Sequence, residues 1–369
     1  MTAPALAPPR LMEGSEAIVE AAIGAGCRFF AGYPMTPFTE ILEHFAAKLP
    51  EVGGVCINAE SELEAVGMTW GALATGARAA TGSTGQGLSL MQESFSEITL
   101  AELPLVAFNM ARGQGDYFQA TRGGGHGDYR HVVLAPVDAV EAVVLTQLAF
   151  DVADRWRHPV LVYGDYLLAH TSVAVAVEPV DVGAAPAKDW AVDGSRSGTG
   201  RSRSVTPLGL VKHGQGPRHG IEPHLRRIVA KQDAIASEEV RVETAHVEDA
   251  ETVIVAFGSP AKFVRYVMEE LRTDGERIGY VRPITLWPFP SEAVAAAADG
   301  ARRLATFELC AGQMVDDVRL AVLGRAPVMT IGGISTDHSG FGVGKLLDAE
   351  IVRERVLAVH RGEPLPDLP

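Results

Sequence analysis

Hydrophobic and polar positions alternate between two rhythms through the first half of the chain. Beyond a Pro/Ala-rich start, "EAIVEAAIGAG" repeats its apolar residues at helical spacing, with Ser15 as the expected N-cap and Gly24 or Gly26 as terminator. Short continuous apolar runs then trade places with helical stretches. Strands are expected near 27–31, 53–57, 78–82, 104–110, 131–135 and 159–163, and helices near 37–48, 60–75, 87–100 and 138–155. Strands that are apolar throughout, separated by amphipathic helices, predict a parallel sheet covered on both faces. This is a doubly wound α/β domain over residues 11–170, behind a flexible leader at 1–10.

The pattern fades between 171 and 250, which reads as a linker with one polar helix near 223–240. Nine Lys and Arg fall between Lys188 and Lys231 against three acids, and Arg201 and Arg203 lie at its centre. Such a stretch is a solvated linker or an anion-binding arm. From 251 to 369 the alternation resumes as a second, smaller α/β unit with a parallel sheet. Its first strand, "TVIVAFG", leads into a helix with Ser259 as the expected cap and Pro260 in the first turn; "PITLWPFP" reads as a loop.

Composition narrows the function classes. At 369 residues and 47% hydrophobic content the chain has material for two buried cores, and 46 acidic against 32 basic residues oppose binding to nucleic acid or anionic membrane. No apolar run approaches the roughly 20 residues of a membrane span. With no secretion signal in "MTAPALAPPR", the cytoplasm is the default location. Cys27, Cys56 and Cys310 are far apart and sit in or beside apolar runs, so they read as small buried hydrophobes, with no CxxC pair to hold zinc or an iron-sulfur cluster.

In an open parallel sheet, ligands bind beyond the carboxyl ends of the strands. Four features fall at that edge. Thr36 in "GYPMTPFTEI" stands between two prolines, as an expected helix cap whose hydroxyl also faces outward. The acidic run "AESELEAVGMTWGA" offers Glu60, Glu62 and Glu64; helical periodicity puts Glu62 on the face of Val66, Thr69 and Leu73 and favours it as the buried one. A carboxyl buried there is driven toward its neutral form and suits proton sharing with a heterocycle. "TGSTGQG", with Ser83 and Gly85, permits close backbone approach but lacks the ending of a phosphate loop. Arg112 follows the next strand and has the planar fork that grips a carboxylate. In "GGGHGDY", His126 and Asp128 read as parts of a structural loop.

Together these segments resemble the α subunit of the 2-oxoacid:ferredoxin oxidoreductases, nearest the 2-ketoisovalerate (3-methyl-2-oxobutanoate) type. "GYPMTPFTEI" is similar to that family's Y-P-I-T-P motif, "AESELEAVGMTWGA" to its glutamate helix, and "DYFQATRGGGHGDYRHVVLAP" to its glycine-histidine segment. "RPITLWPFP" and "CAGQMVDDVRLAV" resemble its second domain, so the fold implied is a thiamine-pyrimidine-type domain followed by a transketolase C-terminal-like one. The resemblance implies oxidative decarboxylation of a branched-chain 2-oxoacid on thiamine diphosphate, with the acyl group passed to coenzyme A and electrons to ferredoxin. By motif, Glu62 is the catalytic carboxyl at the aminopyrimidine ring, Thr36 and Arg112 bind substrate, and Tyr33, Pro34, Ser83 and Gly85 lie on the cofactor side with Glu62. The family's GDG segment and downstream Asn have no counterpart: "YGDY" at 163–166 lacks the second glycine, and the only asparagines are Asn58 and Asn109. The diphosphate, Mg2+ and the iron-sulfur cluster are therefore expected on a β-type partner, with a γ-type chain completing the complex. The family's longer insertion after the arginine is replaced here by the direct run "ARGQGDYFQAT". Two further readings share the fold: a thiamine-dependent decarboxylase subunit that does without ferredoxin, and a non-catalytic small-anion binding or scaffold module.

Overall fold

The computed structural model describes residues 8–180, 186–192, 221–338, 340 and 344–367. Strand β1 (Arg10–Glu13) runs straight into helix α1 (Gly14–Gly24). The helix begins before Ser15, which sits buried in its first turn and caps nothing. The cause is a close approach: a Cβ at Gly14 would collide with the Leu168 carbonyl, so tertiary packing rather than a side-chain cap sets the helix start. Next come β2 (Phe29–Gly32), α2 (Thr39–Lys48), β3 (Val55–Asn58), α3 (Glu62–Ala74), β4 (Ala79–Ser83), α4 (Gly85–Leu100) and β5 (Val106–Ala111). A short α5 (Tyr117–Arg122) precedes β6 (Val132–Leu134), α6 (Ala139–Trp156), β7 (Val160–Asp165), α7 (Tyr166–His170) and β8 (Ser172–Val175), which pairs antiparallel with β1.

Residues Arg201 and Arg203 of the basic stretch lie outside the described residues. The polar helix of that stretch is α8 (Ile221–Glu238), held to the first domain by His224 Nε2 at 2.8 Å from the Leu100 carbonyl. The second unit contains β9 (Val242–Ala245), β10 (Thr252–Ala256), α9 (Gly258–Thr273), β11 (Ile278–Pro283), β12 (Thr285–Trp287), α10 (Ser291–Ala298), β13 (Arg303–Phe307), α11 (Met314–Val322), β14 (Val328–Thr330) and α12 (Ala349–Arg361).

The larger sheet has the order β12-β6-β7-β5-β4-β2-β3, parallel except for β12. The smaller has the order β14-β13-β10-β11-β9, and its edge strand β9 is antiparallel. Three expectations are corrected here. The second sheet is not wholly parallel, and part of the segment read as the loop "PITLWPFP" is strand β12, which crosses over to extend the first domain's sheet. Ser259 is also not a cap: α9 already starts at Gly258, and the Ser259 hydroxyl donates instead to Asp165 Oδ1 at 2.9 Å across the domain boundary.

Apolar faces account for the layering. Ile18, Phe30, Phe38, Ile41, Phe45 and Phe108 fill one side of the larger sheet beneath α1, α2 and α6. On the other side, Val66, Leu88, Met91 and Phe95 belong to a cluster that runs on without a break into Val253, Phe257, Leu304 and Met314 of the second unit. Among the described residues no helix is long and apolar enough to cross a membrane.

Candidate active site

Strands β5, β4, β2 and β3 are consecutive and mutually parallel in the larger sheet, so their carboxyl ends line up along one edge. Arg112, Ser83, Thr36 and Glu62 follow those four ends. Residues scattered over some eighty positions are thus brought to one edge by strand order alone.

Glu62 opens α3 and is 3% exposed, whereas Glu60 and Glu64 face solvent. Val66, Thr69 and Leu73 are buried on the same face, as the periodicity requires. Ser83, the last residue of β4, is fully enclosed and donates from Oγ to Glu62 Oε1 at 3.0 Å. A carboxyl oxygen held in this way is fixed in direction. Gly87, in the first turn of α4, makes the pair possible: a Cβ there would run into Ser83 Oγ and the Glu62 carboxyl.

Arg112 leaves β5 half-buried and donates from Nε to the Thr36 carbonyl at 3.2 Å, which ties the two substrate-side candidates together. Thr36 is exposed, as are Tyr33 and Pro34. The structure corrects the expectation that Thr36 caps α2. That helix starts at Thr39, no side chain caps it, and a turn closed by Phe38 N on the Met35 carbonyl at 2.7 Å intervenes. The Thr36 hydroxyl is therefore not committed to the helix end. The Thr36–Pro37 peptide is cis.

Gly85 begins α4, and a Cβ on it would collide with the Asp116 carboxyl. Burial raises the Asp116 pKa above its usual range; Asn109 Nδ2, donating at 3.3 Å, and the Arg112 charge act in the opposite direction. Sequence reading missed Asp116, Asn109 and the deeply buried Gln114. The only signal for Asn109 was its place near the end of an apolar strand; for Asp116 and Gln114 it was proximity to Arg112.

His126 is away from the strand ends in role as well as position: it lies between Ser96 Oγ at 3.2 Å and Glu97 Oε1 at 3.1 Å, with its side chain 56% exposed. The glycines beside it wrap the Tyr129 hydroxyl, which accepts from Gly124 N and Gly125 N and donates to Gln92 Oε1. The segment that includes Asp128 is a structural loop. Cys27 and Cys310 are buried, with their thiols pushed up to about 12, and half-buried Cys56 is pushed up to about 11, in each case by burial first. Among the described residues, no three of His, Cys, Asp and Glu are grouped to hold a metal ion.

The buried Glu62–Ser83 pair fits a heterocycle that needs a proton partner. Ser83 engages one oxygen of the Glu62 carboxyl, and the absence of a side chain at Gly87 leaves room for the pair.

Known proteins point the same way. Residues 20–197 match the family model described as pyruvate flavodoxin/ferredoxin oxidoreductase, thiamine diphosphate-binding, and residues 250–339 match pyruvate:ferredoxin oxidoreductase core domain II. The chain is 38% identical to the ketoisovalerate oxidoreductase subunit VorB of Methanothermobacter thermautotrophicus, over 85% of this chain and 89% of that one. It is 34% identical to the 2-oxoglutarate synthase subunit KorA of the same organism, over 86% of this chain and 92% of that one. In fold it is similar to the 2-oxoglutarate:ferredoxin oxidoreductase from Magnetococcus marinus, with a TM-score of 0.78 at 24% identity, covering 96% of this chain and 65% of that one. A split-gene transketolase shares the architecture with a TM-score of 0.59 at 15% identity, over 96% of this chain and 99% of that one. Two family matches in succession, with relatives at 38% and 34% identity over most of the chain, establish that it belongs to the 2-oxoacid:ferredoxin oxidoreductase family, as an oxidoreductase subunit whose first domain is of the thiamine diphosphate-binding type.

Proposed function

We propose that this chain is the α-type subunit that holds the aminopyrimidine end of thiamine diphosphate, working with a β-type partner to decarboxylate a branched-chain 2-oxoacid oxidatively. Electrons pass to ferredoxin and the acyl group to coenzyme A. The observation that carries the reading is the enclosed Glu62–Ser83 pair, on the same sheet edge as the joined Arg112 and Thr36.

Thiamine diphosphate, when bound, supplies the electron sink for breaking the bond between the carboxylate and the keto carbon. This chain's part is positional and protonic. Glu62 shares a proton with the pyrimidine ring nitrogen through the oxygen that Ser83 does not engage, and the Ser83 hydroxyl keeps the carboxyl turned toward it. Ser83 and Gly85, with Tyr33 and Pro34, form the walls on the cofactor side. Arg112 pairs with the substrate carboxylate and the Thr36 hydroxyl donates to it. Burial pushes the Cys27, Cys56 and Cys310 thiols up, away from the thiolate a cluster needs, which supports assigning the iron-sulfur cluster to the β-type partner, together with Mg2+ and the diphosphate. A γ-type subunit completes the assembly. The 38% identity to a ketoisovalerate oxidoreductase subunit supports the branched-chain assignment.

The test is Glu62→Gln in the reconstituted complex, assayed by dye reduction with 2-ketoisovalerate, pyruvate and 2-oxoglutarate. Removing the proton-sharing carboxyl should lower turnover by about a hundredfold or more while the subunits still assemble. Turnover within a factor of two of the parent would sink the assignment of Glu62. A preference for 2-oxoglutarate would overturn the branched-chain assignment and leave the rest intact.

A further inference from the structure

The segment that follows Arg112 is gripped by the second domain. Gln114 is fully buried; its Nε2 donates to the Phe257 carbonyl at 2.8 Å, its Oε1 accepts from Leu309 N at 2.8 Å, and its own amide donates to the Leu309 carbonyl at 3.2 Å. Just beyond Gln114, Gln313 of the second domain reaches back. Its Nε2 donates to the Gly115 carbonyl and its Oε1 accepts from Phe118 N, both at 2.7 Å. Tyr117 then donates to Asp317 Oδ2 at 2.6 Å, and Asp317 also pairs with Arg122.

The elements on the gripping side are themselves fixed. Phe257 and Leu309 follow the carboxyl ends of β10 and β13, the edge where an open parallel sheet ordinarily receives a ligand. Here that edge receives backbone and side chain from the first domain. Gln313 and Asp317 sit at the start of α11, whose first amides are collected by the buried Glu308 carboxylate: Gln313 N at 2.9 Å, Met314 N at 2.7 Å and Val315 N at 3.0 Å. The start of α11 is thus bonded through Gln313 to Gly115, three places beyond Arg112, while the ends of β10 and β13 hold Gln114, two places beyond it.

We propose that Gln114 and Gln313 are positioning residues for substrate, and that the second domain serves to hold the Arg112 guanidinium in place against the 2-oxoacid carboxylate. This rests on the reading in which Arg112 binds that carboxylate. A planar fork is directional, so a small displacement of its backbone removes one of two parallel bonds. Coenzyme A and the electron acceptor do not depend on that fork, so their kinetics separate a positioning role from a general weakening of the fold.

The experiment uses the reconstituted complex with 2-ketoisovalerate, and compares the parent, Gln114→Met, Gln313→Ala, Arg112→Ala and the double variant Arg112→Ala/Gln114→Met. Gln114→Met keeps the volume and removes both side-chain bonds. It should raise KM for the 2-oxoacid about tenfold or more, with kcat within about threefold and KM for coenzyme A unchanged. Gln313→Ala should move the same constant in the same direction, and carries the test if Gln114→Met fails to assemble. Because the effect passes through Arg112, adding Gln114→Met to Arg112→Ala should change KM no further. An unchanged KM in both glutamine variants, or an undiminished Gln114 effect when Arg112 is absent, overturns the proposal while leaving the Arg112 assignment standing. An Arg112→Ala variant with a normal KM overturns that assignment and the proposal with it. A merely structural role for the glutamines would lower the active fraction and leave KM where it was.

Discussion

His131 is enclosed between the ring of Phe95, with centroids 5.8 Å apart, and that of Tyr129, at 6.2 Å. Leu105, Ala107 and Leu161 line the same space, and burial pushes its pKa down to about 4. His158, with Nε2 at 2.7 Å from the Arg130 carbonyl, is pushed down by burial as well. The sign follows from where the proton binds. An unfolded chain takes up a proton on His131 near pH 6.5, whereas the folded chain does so only near 4. Stability from this residue is therefore complete above about pH 6.5 and is lost as pH falls toward 4, by roughly 1.4 kcal/mol per pH unit for one group. Urea midpoints between pH 7 and pH 4.5 should fall more steeply for the parent than for His131→Leu. Equal slopes would show that the ring is not kept neutral by its surroundings.

At the scale of single elements, α3 has two unlike faces. Glu62, Val66 and Thr69 turn inward, while Leu63 is 53% and Met68 40% exposed. Gly67 and Gly71 share the outer side, and a Cβ on either would meet nothing in this chain. Leu90 of α4 and Val55 on the edge strand β3 add further exposed apolar surface. A helix bare of side chains at two positions one turn apart suits close approach by another polypeptide, and the β-type partner of the proposed complex is expected to dock on this face. Gly67→Leu should improve the helix in isolation, by up to about 1 kcal/mol from propensity, yet prevent the complex from forming. Size-exclusion of the mixed subunits, beside thermal melting of the chain alone, checks both halves, and normal assembly would place the partner elsewhere. Glu62's burial was legible because helical periodicity is a local signal. The same is true of most strand and helix positions in the first domain. The starts of α1, α2 and α9 were misread because caps inferred at Ser15, Thr36 and Ser259 lost to other contacts: the first and last to tertiary ones, the Gly14 approach to Leu168 and the Ser259 bond to Asp165, and Thr36 to a local turn from Met35 to Phe38. Strand β12 is three residues long and lies just before two prolines, too short for periodicity to register. Gln114 was invisible for another reason: its partners lie 143 and 195 residues away.

At the scale of the whole molecule, the two domains share structure rather than merely touch. Strand β12 belongs in sequence to the second unit and in space to the first sheet, where Thr285 pairs with Leu134 and Trp287 with Val133. Phe257 from the end of β10 packs between Tyr117, at 5.5 Å between ring centroids, and Tyr163, at 5.8 Å. Arg282, 4% exposed, bridges both: it makes two bonds to Glu141 of α6, at 2.7 and 2.8 Å, and one to Glu243 of β9 at 2.6 Å. Separating the domains would strand a buried guanidinium, leave the β6 edge unpaired and open a continuous apolar cluster, three penalties of different origin that arrive together. Unfolding one domain alone is thus costly for the other. Calorimetry of the isolated chain should show a single cooperative transition, and a chain ending after Ala250 should be insoluble or lack a transition altogether. Two resolved transitions, or a stable folded product from the shortened chain, would mean that the domains stand independently. In that case the second domain would be a poor platform for Arg112, because a clamp fixes its load only if it does not itself move.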